Sequence, residues 1–373
     1  MEKRYGTATI ICFLLLIFGF FAANAAVPDK TFSDNENAAL TAFPDITAQT
    51  LKSGKFMEDF GEYANDQFVL RDLFIAAKAE LERLSGKKEN NGVLFAGDGY
   101  LIKKAEPFGR ASRLNIEAIE QMQALGRYNI SVLVAPTAAE IEKGLLPAFA
   151  YTDGERQLID ALSYSAAECG YYFCDAGGEI EVLKGQRYYR TDHHWTSDAA
   201  FAAYCALMRG MGREVPQRDD FEITELSDGF YGTTWSRAML FGARPDAVLA
   251  YIPKGVEIKV VSDGEHGELI DGEYLEKKDK YAAFLGGNHA VCEIESSIKD
   301  GGTAVVFKDS YANCMAPMLA ASYSRVVFVD LRYYNQDPLE LADGYGADDV
   351  IFICNAGTFN SERNIAKIGA FIE

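Results

Sequence analysis

Histidine is nearly missing from this sequence: four occur in 373 residues. They lack the spacing of a zinc ligand set, and no Cys-x-x-Cys motif occurs, so the residues predict neither a metal nor any other cofactor. Basic residues are outnumbered, with 36 Lys and Arg against 55 Asp and Glu and a formal net charge of −19. That balance argues against nucleic acid or an anionic phosphate surface as the main partner. Cysteine is sparse too. Of seven, Cys12 lies in an N-terminal apolar segment, and Cys169 and Cys174 form the only close pair among the rest. An exported chain permits disulfides, yet Cys174, Cys205 and Cys354 occupy apolar strand-like or helical contexts in which buried free thiols are common. The pairing stays open. No internal repeat and no long low-complexity segment is present.

What is there resembles an ordinary folded protein, with 49% hydrophobic and 24% charged residues. The length suggests two domains or one large decorated domain. Met1-Glu-Lys-Arg supplies a basic flank, Ala8 to Ala23 is almost unbroken apolar residues, and Ala23-Asn24-Ala25 offers small residues for signal-peptidase cleavage. The apolar run is shorter than the roughly 20 residues of a comfortable membrane span. It favours a cleaved signal peptide over an N-terminal membrane anchor, and either one places the remainder outside the cytoplasm. Residues 1–25 are therefore set apart from the fold.

Residues 26–88 predict an extended tether followed by helices packing on the main domain, with apolar residues from Phe56 to Leu84 near helical spacing. Asp66 and Arg71 read as a helix cap and a surface ion pair. The main domain is expected over 89–373. It opens with strand, tight turn and strand around Gly97-Asp98-Gly99, whose glycines supply positive-φ positions. Buried strands then alternate with helices: Ile130–Ala135, Tyr171–Cys174, Thr303–Phe307, Arg325–Asp330 and Asp349–Cys354 are apolar along their length. Such strands indicate a mostly parallel sheet covered on both faces, a three-layer α/β/α sandwich. The stretch about 221–290 breaks the rhythm with alternating runs such as Val256–Ser262, and predicts an antiparallel β insertion overhanging the site.

Two of the four histidines sit together in Thr191-Asp192-His193-His194-Trp195-Thr196. In an extended segment, residues two apart project the same way, so Asp192 can fix the tautomer of His194 and raise its basicity. That is the orienter and base of a nucleophilic triad, without its nucleophile. The bland alternative makes these loop residues serving the helix that begins at Ser197, capped by Thr196 or Ser197. Ser310 is the candidate nucleophile: it follows the strand Thr303–Phe307 and precedes a helix, the corner where open α/β sheets bind ligands. Its competing role is that of an N-cap. A third cluster, Gly286-Gly287-Asn288-His289, implies close backbone approach, an amide in Asn288 able to donate to an oxyanion, and a rival base in His289.

Together Asp192-His-His-Trp195, Gly286-Gly-Asn-His289, Lys308-Asp-Ser-Tyr-Ala-Asn313 and Asp330-Leu-Arg-Tyr-Tyr334 resemble the DHHW family of exported bacterial proteins. That family is similar to the SGNH-hydrolase-like domains of alginate and other polysaccharide O-acetyltransferases. The likeness runs from about Asn35 to the C-terminus. It implies an SGNH-hydrolase-like fold, Ser310 as nucleophile, His194 as base and Asp192 as its orienter. Asn288, His193, Gly287, Tyr311 and Asn313 become candidates for the oxyanion or substrate. Two departures stand out: Gly-Asp-Ser has become Lys308-Asp309-Ser310, and the aspartate precedes the histidine by two residues rather than three.

The expected function is an exported serine-dependent acyl-ester enzyme, an O-acetyltransferase or acetylesterase acting on a cell-envelope or extracellular polysaccharide. By the resemblance, a membrane-bound O-acyltransferase is the acyl supplier. Tyr231, Trp235 and Tyr251 are aromatic candidates for stacking on sugars. The competing expectation is a non-catalytic polysaccharide-binding or assembly protein, which the charge of Lys308 favours. A zinc hydrolase built on His193, His194 and His289 ranks last.

Overall fold

A computed structural model gives the structure of the chain and describes residues 2–33, 35 and 38–372. The basic flank expected at Met1–Arg4 lies outside the described side chains. The chain divides into two compact units, Met1–Lys87 with Ser236–Gly242, and Lys88–Trp235 with Ala243–Glu373.

The first unit opens with a helix, Glu2–Ala26. Its stretch Gly6–Ala26, 21 residues, is long and apolar enough to cross a membrane, and none of it is buried. The helix extends the apolar run at both ends, so length does not favour cleavage over anchoring. Farther on, the helices Lys55–Asp66 and Arg71–Leu84 carry the periodic aromatic residues. Phe43 packs edge-on against Phe60 and Tyr63. Asp66 meets Arg71 at 3.5 Å and also accepts from the backbone and hydroxyl of Thr41, at 2.9 and 2.7 Å. It therefore ties the extended segment to the helices.

The second unit is built on eight strands: β1 Asn129–Ala135, β2 Tyr172–Cys174, β3 Ile258–Ser262, β4 Glu265–Gly267, β5 Val291–Ser296, β6 Thr303–Lys308, β7 Arg325–Val329 and β8 Asp349–Asn355. Their order across the sheet is β4-β3-β5-β7-β6-β8-β1-β2. The five strands from β7 to β2 are parallel, and β5, β3 and β4 extend one edge antiparallel. Successive side chains of a strand point to opposite faces. Accordingly Ala304 and Val306 of β6 join one core cluster and Val305 and Phe307 the other. The helix Ser197–Gly210 covers the first face with Ala199, Ala203 and Leu207. The helices Arg110–Ala124 and Asp153–Cys169 cover the second with Ile119, Met122, Leu158 and Leu162. The architecture is a three-layer α/β/α sandwich with a mostly parallel sheet.

The antiparallel insertion divides in two. Phe221–Phe230 pairs with Asp246–Pro253 in a sheet of its own, whereas β3 and β4 continue the central sheet. A single core of sequence-local hairpins would need its own apolar layer. Val260, in β3, instead joins the main core. All seven cysteines are free; Cys169 is exposed while Cys174 is buried.

Candidate active site

The parallel strand β6 ends at Lys308, and Asp309 takes the extended conformation that caps the following turn, Ser310–Met315. Asp309 Oδ1 accepts from the Tyr311 N–H at 2.9 Å, and Oδ2 accepts from the backbone and side chain of Asn355 at 2.8 and 2.6 Å. The capping role therefore falls to Asp309, not to Ser310. This leaves the Ser310 hydroxyl free at the carboxyl end of the sheet, and Pro317 sits in the first turn of the helix Ala316–Leu319.

The histidine segment is anchored just upstream of its functional groups. Buried Asp246 accepts from the Thr191 N–H and hydroxyl at 3.0 and 2.7 Å and from the Arg190 N–H at 3.1 Å. Thr196 caps the helix at Ser197 through the Ala199 N–H. Trp195 is fully buried and donates its indole N–H to the Tyr311 carbonyl at 3.0 Å. With the cap assigned to Thr196 and the packing to Trp195, Asp192, His193 and His194 are released from structural duty. His194 Nε2 lies 2.8 Å from Ser310 Oγ, and its Nδ1 lies 2.5 Å from Asp192 Oδ1. A carboxylate and an imidazole two residues apart and a serine far downstream thus form one hydrogen-bonded line.

Burial pulls His194 down to about 4, helped by the charge of His193 and opposed by Asp192, so the imidazole is neutral and able to accept a proton at neutral pH. Burial works against the Asp192 carboxylate, but the two imidazoles outweigh it and hold the group well below the usual range. Asp192 also accepts from the Thr233 N–H and hydroxyl at 2.7 and 2.8 Å. The His194 ring lies between that of Tyr281, 3.8 Å away and stacked nearly parallel, and that of His193, 3.9 Å away. The Tyr281 hydroxyl donates to the carbonyl of Ser310 at 3.1 Å. Asp279, two residues before it, is pushed up by burial and by the charge of Asp192.

Neither Tyr281, Thr233 nor Asp279 was legible as a site residue. Each lies in the 221–290 stretch, where the only signal is the expectation that this segment overhangs the site.

The remaining candidates fall into two groups. His193 is partly exposed beside Asp192 and Thr233. Asn288 is exposed, at the end of a turn in which Leu285, Gly286 and Gly287 all have positive φ. Its Oδ1 accepts from Lys308 Nζ at 3.2 Å. Tyr311 and Asn313 are buried, and substrate contact by either one does not fit that placement. The Tyr311 hydroxyl donates to the His193 carbonyl. Asn313 accepts from Lys308 at 2.8 Å and donates to the Gly287 carbonyl at 3.2 Å, so it braces the glycine turn. Lys308 brings no free charge toward the nucleophile: its ammonium is buried between these two amides, 3.6 Å from Asp330. His289 faces Asp263 at 3.1 Å and the Leu285 carbonyl at 3.0 Å, so it is a brace of the same turn and not a rival base at Ser310.

Asp192, His193 and His194 also place one potential ligand atom each within 4.8 Å of one another. Those atoms are engaged in the hydrogen bonds described above, and His289 is not in the group. Among the sugar-stacking candidates, Tyr251 is buried in the core. Tyr231 and Trp235 stay half-exposed as a pair with ring centres 5.2 Å apart, on either side of Thr233.

Residues 180–329 match the family model for the DHHW protein. Residues 90–229 match a second model, the SGNH hydrolase-like domain of acetyltransferase AlgX. Among solved structures, the chain resembles a DHHW family protein from Eubacterium siraeum DSM 15702, with 21% identity, a TM-score of 0.62, and coverage of 75% of this chain and 96% of that one. It also resembles PatB1 from Bacillus cereus, at 18% identity and a TM-score of 0.60, over 73% of this chain and 98% of that one. At these identities the likeness concerns the fold. No curated protein sequence matches the chain.

Proposed function

We propose that this chain is an extracytoplasmic serine-dependent acyl-ester enzyme, an O-acetyltransferase or acetylesterase, whose substrate is a polysaccharide. The observation that carries the reading is the line Asp192–His194–Ser310, with contacts of 2.5 and 2.8 Å. The match of residues 90–229 to an SGNH-hydrolase-like acetyltransferase model supports the choice of acyl group and glycan. The apolar N-terminal helix supports export.

In this reading, Ser310 Oγ attacks the acyl carbonyl as its proton passes to His194 Nε2. The Asp192 carboxylate stabilises the imidazolium that forms. The negative oxygen of the tetrahedral intermediate meets the Ser310 N–H, which is first in its turn and has no intrahelical partner, and the side-chain amide of Asn288. With Asn288 Oδ1 turned to Lys308, the Nδ2 donor is left for that oxygen. His194 then returns the proton to the departing group, leaving Ser310 acylated. A sugar hydroxyl or water completes the cycle by the same steps in reverse. A membrane-bound O-acyltransferase is the proposed source of acyl groups outside the cytoplasm.

A serine-directed fluorophosphonate tests the reading. Folded wild-type protein is expected to be labelled and Ser310→Ala not. Wild-type protein that is folded by circular dichroism yet takes no label overturns it.

A further inference from the structure

The second histidine of the pair has a hydrogen-bonding pattern that the acylation step leaves unused. Thr233 has one hydroxyl proton, and it is donated to Asp192 Oδ2 at 2.8 Å. Thr233 Oγ1 also lies 2.7 Å from His193 Nδ1, so the hydroxyl oxygen accepts there, and His193 carries its proton on Nδ1. In the neutral ring Nε2 is then a bare acceptor. Nε2 has no hydrogen-bond partner among the described residues, and the side chain keeps 28% of its surface exposed. Meanwhile the backbone of His193 is fixed by the Tyr311 hydroxyl, and its ring packs 3.9 Å from that of His194. Asp192 therefore orients two imidazoles, His194 directly and His193 through Thr233. One points at the nucleophile, and the ring packed against it presents an unpartnered lone pair.

We propose that His193 binds the acyl acceptor, and that the site prefers acceptors with two adjacent O–H groups, the vicinal hydroxyls of a sugar ring. This inference rests on the reading of Ser310 as an acylated nucleophile. One acceptor hydroxyl attacks the carbonyl carbon of the Ser310 ester while its proton passes to His194 Nε2. The bond from that carbon to Ser310 Oγ then breaks, and the proton returns to Oγ. The neighbouring hydroxyl donates a hydrogen bond to His193 Nε2 and is not consumed. Water fits the same arrangement with its second O–H, which makes hydrolysis the default when no sugar is bound. His193 thus acts on the second half of the reaction more than on the first.

Two substitutions separate this role from simple support of His194. His193→Asn retains a donor near the Nδ1 position for Thr233 but removes the Nε2 acceptor. His193→Gln retains an acceptor near Nε2 and loses the Thr233 link. The full-length protein is acetylated with 4-nitrophenyl acetate, excess donor is removed, and loss of the acetyl-enzyme is followed by intact-mass spectrometry in water and with added methyl glucoside. Fluorophosphonate labelling rates report the first half-reaction separately. The expected result is that His193→Asn slows loss of the acetyl group at least tenfold more than it slows labelling. His193→Gln is expected to recover part of that loss, and methyl glucoside to accelerate decay in the wild type more than in His193→Asn. Labelling and decay slowed to the same extent by both variants, or decay unchanged in His193→Asn, would overturn the proposal. A folded wild type that forms no acetyl-enzyme and takes no fluorophosphonate overturns the Ser310 reading itself, and the role of His193 with it.

Discussion

At the scale of single residues, His194 is the group whose environment has the sharpest consequence. Burial draws it down to about 4 from an ordinary value near 6.5. Labelling of Ser310 requires the neutral ring, so its rate is expected to rise with pH to a half-maximum near 4 and stay level to neutrality. A midpoint near 6.5 in a pH series of labelling rates would contradict the buried placement. The linkage has the opposite sign from that of a paired surface histidine: between pH 6.5 and 4 the unfolded chain binds the proton and the folded chain does not. This group therefore costs stability as pH falls through that window, which urea titrations at several pH values would register. Asp192→Asn keeps the shape but removes the charge that stabilises the imidazolium. Its labelling rate is expected to fall by about 10⁴-fold, as the carboxylate-to-amide change in such a triad does.

At the scale of elements, two turns set the geometry. Gly232 packs so closely on Asp192 that a Cβ there would stand 2.2 Å from the aspartate's own Cβ. Gly232→Ala is expected to displace Asp192 and slow labelling by tenfold or more while the main sheet persists, a split visible by comparing labelling with far-ultraviolet circular dichroism. The other is the glycine turn at 285–288, held from below by Lys308 and Asn313. Lys308→Met leaves Asp330 its pair with Arg332 at 2.6 Å but strips the buried Asn313 Oδ1 of its donor and removes the ammonium from Asn288 Oδ1. A loss of about 1–3 kcal/mol is expected in equilibrium unfolding, together with slower labelling as Asn288 loses its tether. Unchanged stability would mean that water replaces the ammonium without cost.

At the scale of the whole molecule, the N-terminal helix is expected to export the chain. Deletion of residues 1–26 should leave the protein in the cytoplasm, where protease added to intact spheroplasts does not reach it, whereas the full-length chain should be degraded; equal protection of both would refute export by this segment. Much of the rest was open to reading from residue order, because the governing signals are local. Apolar strands alternating with helices require a sheet covered on both faces, and Asp-x-His in an extended segment places carboxylate and imidazole together. Other features depended on which distant residues meet. Whether Ser310 capped its helix or faced His194 turned on Asp309, whose second oxygen is held by Asn355 from another strand. Lys308 looks like a charge beside the nucleophile until Asp330, Asn288 and Asn313 enclose it. Tyr281, Thr233 and Asp279 carry no periodicity or motif, and only the packing of their segment gives them a role. The sequence by itself determined the layered α/β class and the pairing of Asp192 with His194, since strand periodicity and spacing within one segment suffice for both. The tertiary structure decided which serine that pair addresses, because that depends on a contact between chain segments more than a hundred residues apart.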